Sequence, residues 1–441
     1  MSRSQIKIIF KIKKYFSSFC KLKYSPEFDN IFYPASYTNS ISSNFLKEFE
    51  LNKKSNFFKN FIIILKDIFY SLYFINHTIY SQGEVREYDK IVVTWAFKEN
   101  FDKNGNLNDR YLNLNSNKDK KVLWFVIYMS DKMPNIIGKN LVLFLRSNKK
   151  SLNIFKIIKF ILINLKFLPK SLNYFLFSIS SFNYFSQILI KKLEPFINYN
   201  LKYLIMPYEG QPFQNKIISF LKINNFKTKT IGYIHSPPLA LPTNFINKMF
   251  SPQKLIVNGK DQYYCFSKIL GWKKSQIKIL PSFRFLKKNK IKVNSIYLPL
   301  TVRDEKFILT SLKYLNDYNY IYIKNLSVKN HPAAKESKKN IKLIKMIESY
   351  KKNIKKKHTN KKKNNFLIFI GASGGIIEAL ERGHKVIQIV ETPILDIYSS
   401  TIWPNIIKKK LNDKIYMYSI KKRGSLIKFG DKNNSFKSIL N

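Results

Sequence analysis

Glu209 and His235 are the first pair of side chains whose types and positions suggest catalysis. Glu209 ends the run LKYLIMPYE, and His235 lies near the end of the run TKTIGYIHS. The helical pattern between the runs opens with Pro212, so strand, helix and strand follow in order and parallel strands are predicted. Both side chains then lie at one sheet edge, where a carboxylate can act as a general base beside an imidazole. Alternatively, Glu209 caps the following helix while His235 hydrogen-bonds within its proline-rich loop.

A second candidate site is the small-residue turn in FLIFIGASGGIIEALERG, which runs from 366 to 383. The pattern predicts a buried strand, a turn and a helix, with Ser373 at the N-cap position. Gly374 and Gly375 leave the first amides of the helix uncovered, and these amides, together with the helix dipole, can bind a phosphate. Glu378, one turn later, is placed to reach ribose hydroxyls. The alternative is an ordinary capped turn in which the glycines only permit close packing.

A third candidate is the histidine of VKNHP. His331 directly precedes Pro332, which favours an extended backbone, and it follows a predicted strand. With Lys329, it can bind nucleotide phosphates and offset the charge on a leaving group. The alternative is a capping or core histidine. Because the glycine-rich turn comes one strand–helix unit later, we expect both segments to contribute to one nucleotide site.

The elements that must position these residues alternate along the chain. Short apolar runs and helical patterns follow one another on both sides of residue 250. This pattern predicts an α/β protein with two doubly wound domains, whose ligands bind beyond the carboxyl ends of the strands, in the crevice between the domains. The predicted division is a helical, variable extension (1–85), a first domain (86–250) with a helical insertion (151–200), a second domain (251–425) and a tail (426–441).

The bulk composition excludes some classes of function. The net charge of the 441 residues is +51, but nearly all the cations are lysines, and Asn, Ile and Phe are abundant as well. Codons of an AT-rich genome produce that joint excess, while base-reading proteins rely on arginine, so no nucleic-acid partner is expected. Cys20 and Cys265 have no metal-ligand spacing. The chain has no Walker, HExxH or DxD motif, which predicts a metal-independent reaction without a resident cofactor.

Attachment to a membrane is left open by the sequence. The start of the chain has no unbroken apolar segment typical of a signal peptide, and no apolar run is long enough to cross a bilayer. The segment SLNIFKIIKFILINLKFLPK places Lys156, Lys159 and Lys166 on one helical face. Such a helix can lie in a membrane interface, or it can be a core helix with a solvated lysine edge.

The segments VKNHPAAK and GASGGIIEALERGHKVIQIV resemble the C-terminal half of GT-B glycosyltransferases that build bacterial surface polysaccharides. Surface carbohydrate biosynthesis proteins also have segments similar to YEGQPFQ and GYIHS. The resemblance covers roughly residues 88–420. It differs at Lys385, where these families often have proline.

This resemblance implies two Rossmann-like domains facing a cleft, the first binding the acceptor and the second the nucleotide donor. His331 and the turn Ser373–Gly375 would hold the donor phosphates, and Glu378 the ribose. Glu209 would be the catalytic base. The expected function is transfer of a sugar from a nucleotide-sugar co-substrate to a growing surface polysaccharide. The alternatives are a nucleotide-sugar epimerase and a non-catalytic, membrane-associated scaffold for glycan assembly.

The same resemblance implies partners and a location. The expected partners are the nucleotide-sugar donor and a glycan or lipid-linked acceptor, with a membrane surface as a further candidate. The expected location is the cytoplasm, including the inner face of the membrane.

Overall fold

The computed structural model describes most of the chain from residue 76 onwards and the first helix. The described ranges are 2–20, 76–82, 85–147, 154–169, 178–288, 290–300, 304–318, 320–331, 337–354, 366–431 and 436–440, with a few isolated positions. Most of the predicted extension 1–85, the lysine-rich segment 355–365, Pro332 and the side chain of Lys156 lie outside the described residues.

The elements alternate as the sequence pattern predicts. The strands are β1 (Asn76–Tyr80), β2 (Lys90–Ala96), β3 (Asn108–Asp109), β4 (Leu114–Asn115), β5 (Val122–Tyr128), β6 (Leu141–Ser147), β7 (Tyr203–Pro207), β8 (Lys229–Tyr233), β9 (Lys254–Val257), β10 (Ile277–Ile279), β11 (Ser282–Leu286), β12 (Ser295–Tyr297), β13 (Ser327–Lys329), β14 (Phe366–Ile370), β15 (Lys385–Ile389), β16 (Ile406–Lys410), β17 (Ile415–Ile420) and β18 (Phe429–Gly430). The α-helices are α1 (Ser2–Cys20), α2 (Ile154–Asn164), α3 (Ser181–Leu193), α4 (Pro212–Ile223), α5 (Lys260–Tyr264), α6 (Glu305–Asp317), α7 (Lys338–Asn353), α8 (Gly374–Glu381), α9 (Pro393–Asp396) and α10 (Phe436–Leu440).

The larger sheet has the strand order β1-β6-β5-β2-β7-β8-β9-β10. All neighbours in the row β6-β5-β2-β7-β8-β9-β10 pair in parallel. Only β1 is antiparallel, at the edge beside β6. Every residue of β5, VLWFVIY, is buried. A strand that is apolar on both faces is typical of a parallel sheet covered on both sides. The prediction of an α/β protein is confirmed at this level.

The second sheet has the order β13-β12-β14-β15-β17-β16. Its first four strands are parallel, and β17 and β16 are antiparallel additions. The sequence analysis assigned β9 and β10 to the second domain, but both strands are hydrogen-bonded in the larger sheet. The larger sheet therefore continues past residue 250, as far as Ile279.

Helix α1 joins parts of the protein that are distant in sequence. Ile8, Ile9 and Ile12 are buried. The buried amide of Gln5 donates to the carbonyl oxygens of Ile394 and Ile397, both at 2.9 Å. One face of this helix therefore belongs to the core, a role that the weak pattern of the first 85 residues did not indicate.

Candidate functional site

Glu209 and His235 meet at the carboxyl edge of the larger sheet. Glu209 follows β7 and His235 follows β8, and these strands pair in parallel. The Nε2 atom of His235 lies 3.2 Å from Oε1 of Glu209. The carboxylate and the imidazole that the sequence placed at one edge are thus in direct contact.

The protonation of His235 follows from its surroundings. The side chain is buried, and burial lowers the pKa of the imidazole below its usual value. At neutral pH the ring is therefore uncharged, and the contact with Glu209 is a hydrogen bond donated by Nε2–H. The buried Nδ1 atom has no hydrogen-bond partner among the described residues. The ring of Tyr111 contacts the imidazole edge-on, with 4.5 Å between centroids.

Several contacts fix the backbone and the carboxylate of Glu209 and leave part of the side chain accessible. Its side chain is 33% exposed, whereas that of His235 is 3% exposed. Nε2 of Gln211 donates to Oε2 at 2.6 Å. The backbone N–H of Glu209 donates to Gln214 at 3.0 Å, and the side chain of Asn244 donates to the Glu209 carbonyl. Glu209 is therefore the member of the pair that a ligand can reach.

Two arginines add positive charge beside this pair. The guanidinium groups of Arg110 and Arg284 lie 4.8 and 5.8 Å from the ring centroid of Tyr111. Arg110 also donates to the Tyr111 hydroxyl at 2.7 Å. Both arginines contribute to the lowered pKa of His235, after burial and against the effect of Glu209. The sequence analysis missed them, although arginine is so rare here that only eight occur in the chain.

A buried aspartate holds Arg110 and Tyr111 in place. Oδ1 of Asp109 accepts the backbone N–H groups of Tyr111 and Leu112, and Oδ2 accepts the hydroxyl of Thr94. Burial raises the pKa of Asp109 to about 6 against the opposing effect of these hydrogen bonds. The segment between β2 and β5 is thus anchored to β2 by a buried side chain.

The small-residue turn faces the loop that carries His235. Ser373 is the N-cap of α8, and its hydroxyl accepts the N–H of Gly375 at 3.2 Å. A Cβ atom at Gly374 would lie 3.2 Å from Oγ of Ser236, and one at Gly375 would lie 2.9 Å from the ring of Phe369. The glycines therefore permit close packing as well as leaving amides at the start of α8.

The carboxylate of Glu378 is engaged within the protein. Arg382, one turn later, pairs with it at 2.9 Å and donates to the carbonyl of Leu286 at 3.2 Å. A different carboxylate lies at the turn itself, because Oε2 of Glu391 is 3.9 Å from the Cβ position of Gly371. The sequence analysis did not single out Glu391.

His331 and Lys329 lie at the outer edge of the second sheet. β13, which ends at Lys329, pairs with β12, and β12 separates it from β14. Two strand spacings put the ends of β13 and β14 about 10 Å apart. His331 is half-buried, and burial lowers its pKa, so its imidazole is neutral at pH 7.

The structure thus brings Glu209 into contact with His235, and brings Gly374 against the loop that follows His235. It places His331 at the same sheet edge as Ser373 but two strands away. Comparison of the chain with protein-family models, with curated proteins and with solved structures finds no match.

Proposed function

We propose that the protein is a glycosyltransferase of the GT-B type, with two Rossmann-like domains, that transfers a sugar from a nucleotide-sugar donor to a growing surface polysaccharide. The observation that carries the proposal is the pair Glu209–His235, 3.2 Å apart at the carboxyl ends of two parallel strands. The start of α8 lies against the same loop, at Gly374. A general base on one sheet and a helix start on the other suit an acceptor hydroxyl and a donor phosphate.

The proposed chemistry assigns one role to each of the two sheets. Glu209 removes the proton from the acceptor hydroxyl as that oxygen forms a bond to the anomeric carbon of the donor sugar. The bond from that carbon to the phosphate oxygen breaks, and its electron pair leaves with the nucleotide. Arg284 and the backbone amides at the start of α8 offset the charge that develops on the departing phosphate. Lys329 and His331 extend this donor site along the second sheet.

His235 acts as a positioning residue. Glu209 is the accessible member of the pair and contacts the substrate. The imidazole of His235 is buried and donates a hydrogen bond from Nε2–H to one carboxylate oxygen. This hydrogen bond leaves the other oxygen, which Gln211 orients, to face the acceptor.

A thermal-shift panel with CMP, UDP and GDP tests the proposal. One nucleotide should give saturable protection of the full chain, and Arg284→Met should weaken it by about 10-fold, because a charge-assisted contact is lost. Arg86→Met, an exposed arginine before the other end of β2, is the matched control. If no nucleotide protects the protein, the scaffold alternative replaces the transferase. If the donor sugar is converted without an acceptor, the protein is an epimerase.

Association with an anionic membrane surface is part of the proposal. No helix formed by the described residues is long and apolar enough to cross a bilayer. On α2, however, Phe155 is 84% exposed and Leu162 is 57% exposed, with Lys159 exposed between them. An exposed apolar face with lysines is typical of a helix at a membrane interface.

Vesicle co-sedimentation measures this association. The protein should bind phosphatidylserine vesicles more strongly than phosphatidylcholine vesicles, and the double variant Phe155→Ser, Leu162→Ser should lose that binding. Ile223→Ser, an exposed apolar residue on α4, is the control. Equal binding of the double variant and the wild type would exclude α2 as the docking face.

A further inference from the structure

A cleft of about 480 Å³ opens at the carboxyl edge of the larger sheet, beyond β2, β5 and β6. The starts of α3 and α4 close it from above. Its walls include Trp95, Phe144, Phe185 and Phe213. None of the residues predicted from the sequence lines this cleft.

The walls form a continuous row of rings. Phe144 and Phe185 are 5.7 Å apart, Phe185 and Phe213 are also 5.7 Å apart, and Phe213 and Trp95 are 5.8 Å apart, in each case between centroids in edge-to-face contact. The imidazole of His77 stacks on Phe144 at 4.8 Å. A ligand that packs against these rings removes apolar area from water. The surface therefore suits an apolar ligand rather than a strongly hydrated one.

The rim of the cleft favours an anion. Arg146 lines it directly opposite His77 in the β1–β6 register and makes no ion pair among the described residues. The first turns of α3 and α4, at Ser181 and Pro212, also border the cleft, and both helices are long enough for their dipoles to add positive potential there. Among the described residues of the lining, Asp131 is the one carboxylate.

His77 supplies a polar atom inside this apolar wall. Its Nδ1 atom is buried and has no hydrogen-bond partner among the described residues. Burial, with Arg146 as the second cause, lowers the pKa of His77 to about 4, so the ring is neutral at pH 7. Arg146, rather than His77, is therefore the charged group that a ligand contacts at this end of the cleft.

The cleft also reaches the proposed catalytic base. Gln211 lines it and donates to Oε2 of Glu209 at 2.6 Å. Trp95 lines it too, 6.3 Å from the ring of His235. A ligand that fills the cleft therefore ends beside the carboxylate of Glu209.

We infer that this aromatic cleft binds an apolar chain that carries a phosphate group, with the phosphate at Arg146 and the chain along the rings of Phe144, Phe185 and Phe213. The binding of this ligand does not depend on the proposed glycosyltransferase function.

Tryptophan fluorescence of the full chain measures the binding without any donor. Trp124, Trp272 and Trp403 are buried, so Trp95 is the tryptophan that a cleft ligand can contact. The probes are decyl phosphate below its micellar concentration, decanol, inorganic phosphate and methyl glucuronide. Decyl phosphate should bind at least about 10-fold more tightly than each of the other three, since only it uses both the rings and the arginine. Trp95→Phe should abolish the signal.

Substitutions test the contributions of Arg146 and of the aromatic wall separately. Arg146→Met should reduce decyl phosphate affinity to that of decanol and leave decanol binding unchanged, while Arg86→Met should alter neither. Phe182→Ser, at the exposed mouth, should weaken both ligands. Circular dichroism confirms that each variant is folded.

Distinct results would overturn the inference. Equal affinity for decanol and decyl phosphate, tighter binding of inorganic phosphate or of methyl glucuronide, or no fluorescence change would each exclude an apolar phosphate ligand. If decyl phosphate binds as expected but no sugar transfer occurs with any donor, the inference about the cleft stands and the proposed glycosyltransferase function fails.

Discussion

Gly374 lies against Ser236, with its Cβ position 3.2 Å from the serine Oγ. This contact joins the start of α8, on the second sheet, to the residue that follows His235 on the first. A side chain at 374 would occupy the space between the two sheets. The closeness explains why a residue without a side chain stands there, and it places a helix start near Glu209.

The first prediction concerns Glu209 itself. Glu209→Gln keeps the size of the side chain and can still contact His235, but it removes the carboxylate that takes the proton from the acceptor hydroxyl in the proposed mechanism. We expect kcat to fall by about 100-fold or more, the usual contribution of a general base, with little change in donor affinity. Glu194→Gln, after α3, is the control. Full activity of Glu209→Gln with the true substrates would exclude Glu209 as the base.

The second prediction separates a positioning role of His235 from a merely structural one. In His235→Gln the amide Nε2–H can still donate to Glu209, whereas His235→Leu fills the space without a donor. We expect the leucine variant to lose about 10-fold to 100-fold in kcat and the glutamine variant to recover most of that loss. Equal activities of the two variants would show that the hydrogen bond to Glu209 does not matter.

The local part of this site was predictable from the sequence. Glu209 and His235 follow consecutive strands of one strand–helix–strand unit, and consecutive parallel strands commonly lie side by side. The cap at Ser373 also depends on a few adjacent residues. Such features need only the pattern of the chain and the rule that parallel strands end at one edge.

The remainder depends on contacts between distant segments. Arg284 lies on β11, which pairs with β18, and that register joins Ser282 with Phe429. Arg110 lies in a polar segment whose position is fixed by the buried side chain of Asp109. The periodicity of apolar residues predicts neither the pairing of β11 with β18 nor the anchoring of Arg110 by Asp109. For the same reason it could not assign β9 and β10 to the larger sheet.

The third prediction tests the backbone that presents Glu209. Gly210 has a φ of +68°, and a Cβ atom there would overlap the carbonyl oxygen of Asn244. Gly424 has a similar φ of +77° but open space around its Cβ position. We expect Gly424→Ala to lower the free energy of unfolding by about 1 kcal/mol, the cost of the left-handed conformation alone. Gly210→Ala should cost roughly 3 kcal/mol or more, because the overlap adds to that strain.

Urea unfolding measures both changes, and kcat measured on the folded fraction shows whether Glu209 has moved. Because Asn244 also donates to the carbonyl of Glu209, Gly210→Ala should lower kcat and Gly424→Ala should not. Equal losses of stability in the two variants would contradict a specific close contact at Gly210.

The fourth prediction follows from the partly buried imidazole of His77, whose Nδ1 atom is buried. Its pKa is about 4 in the folded protein and 6.5 as the ordinary value, so the unfolded state binds more protons between these pH values. The contribution of His77 to stability is therefore present above pH 6.5 and is lost as the pH falls toward 4. Because the shift is large, this loss is about 2 kcal/mol at pH 5.

His77→Phe removes the titrating group and keeps a ring between Phe144 and Phe185. The variant should therefore gain about 2 kcal/mol over the wild type on going from pH 8 to pH 5, as measured by urea unfolding at both values. Asp109, whose pKa is raised to about 6, titrates in the opposite sense, but it is present in both proteins and cancels in the difference. A stability difference that is the same at both pH values would mean that His77 titrates normally and is not buried as the structure has it.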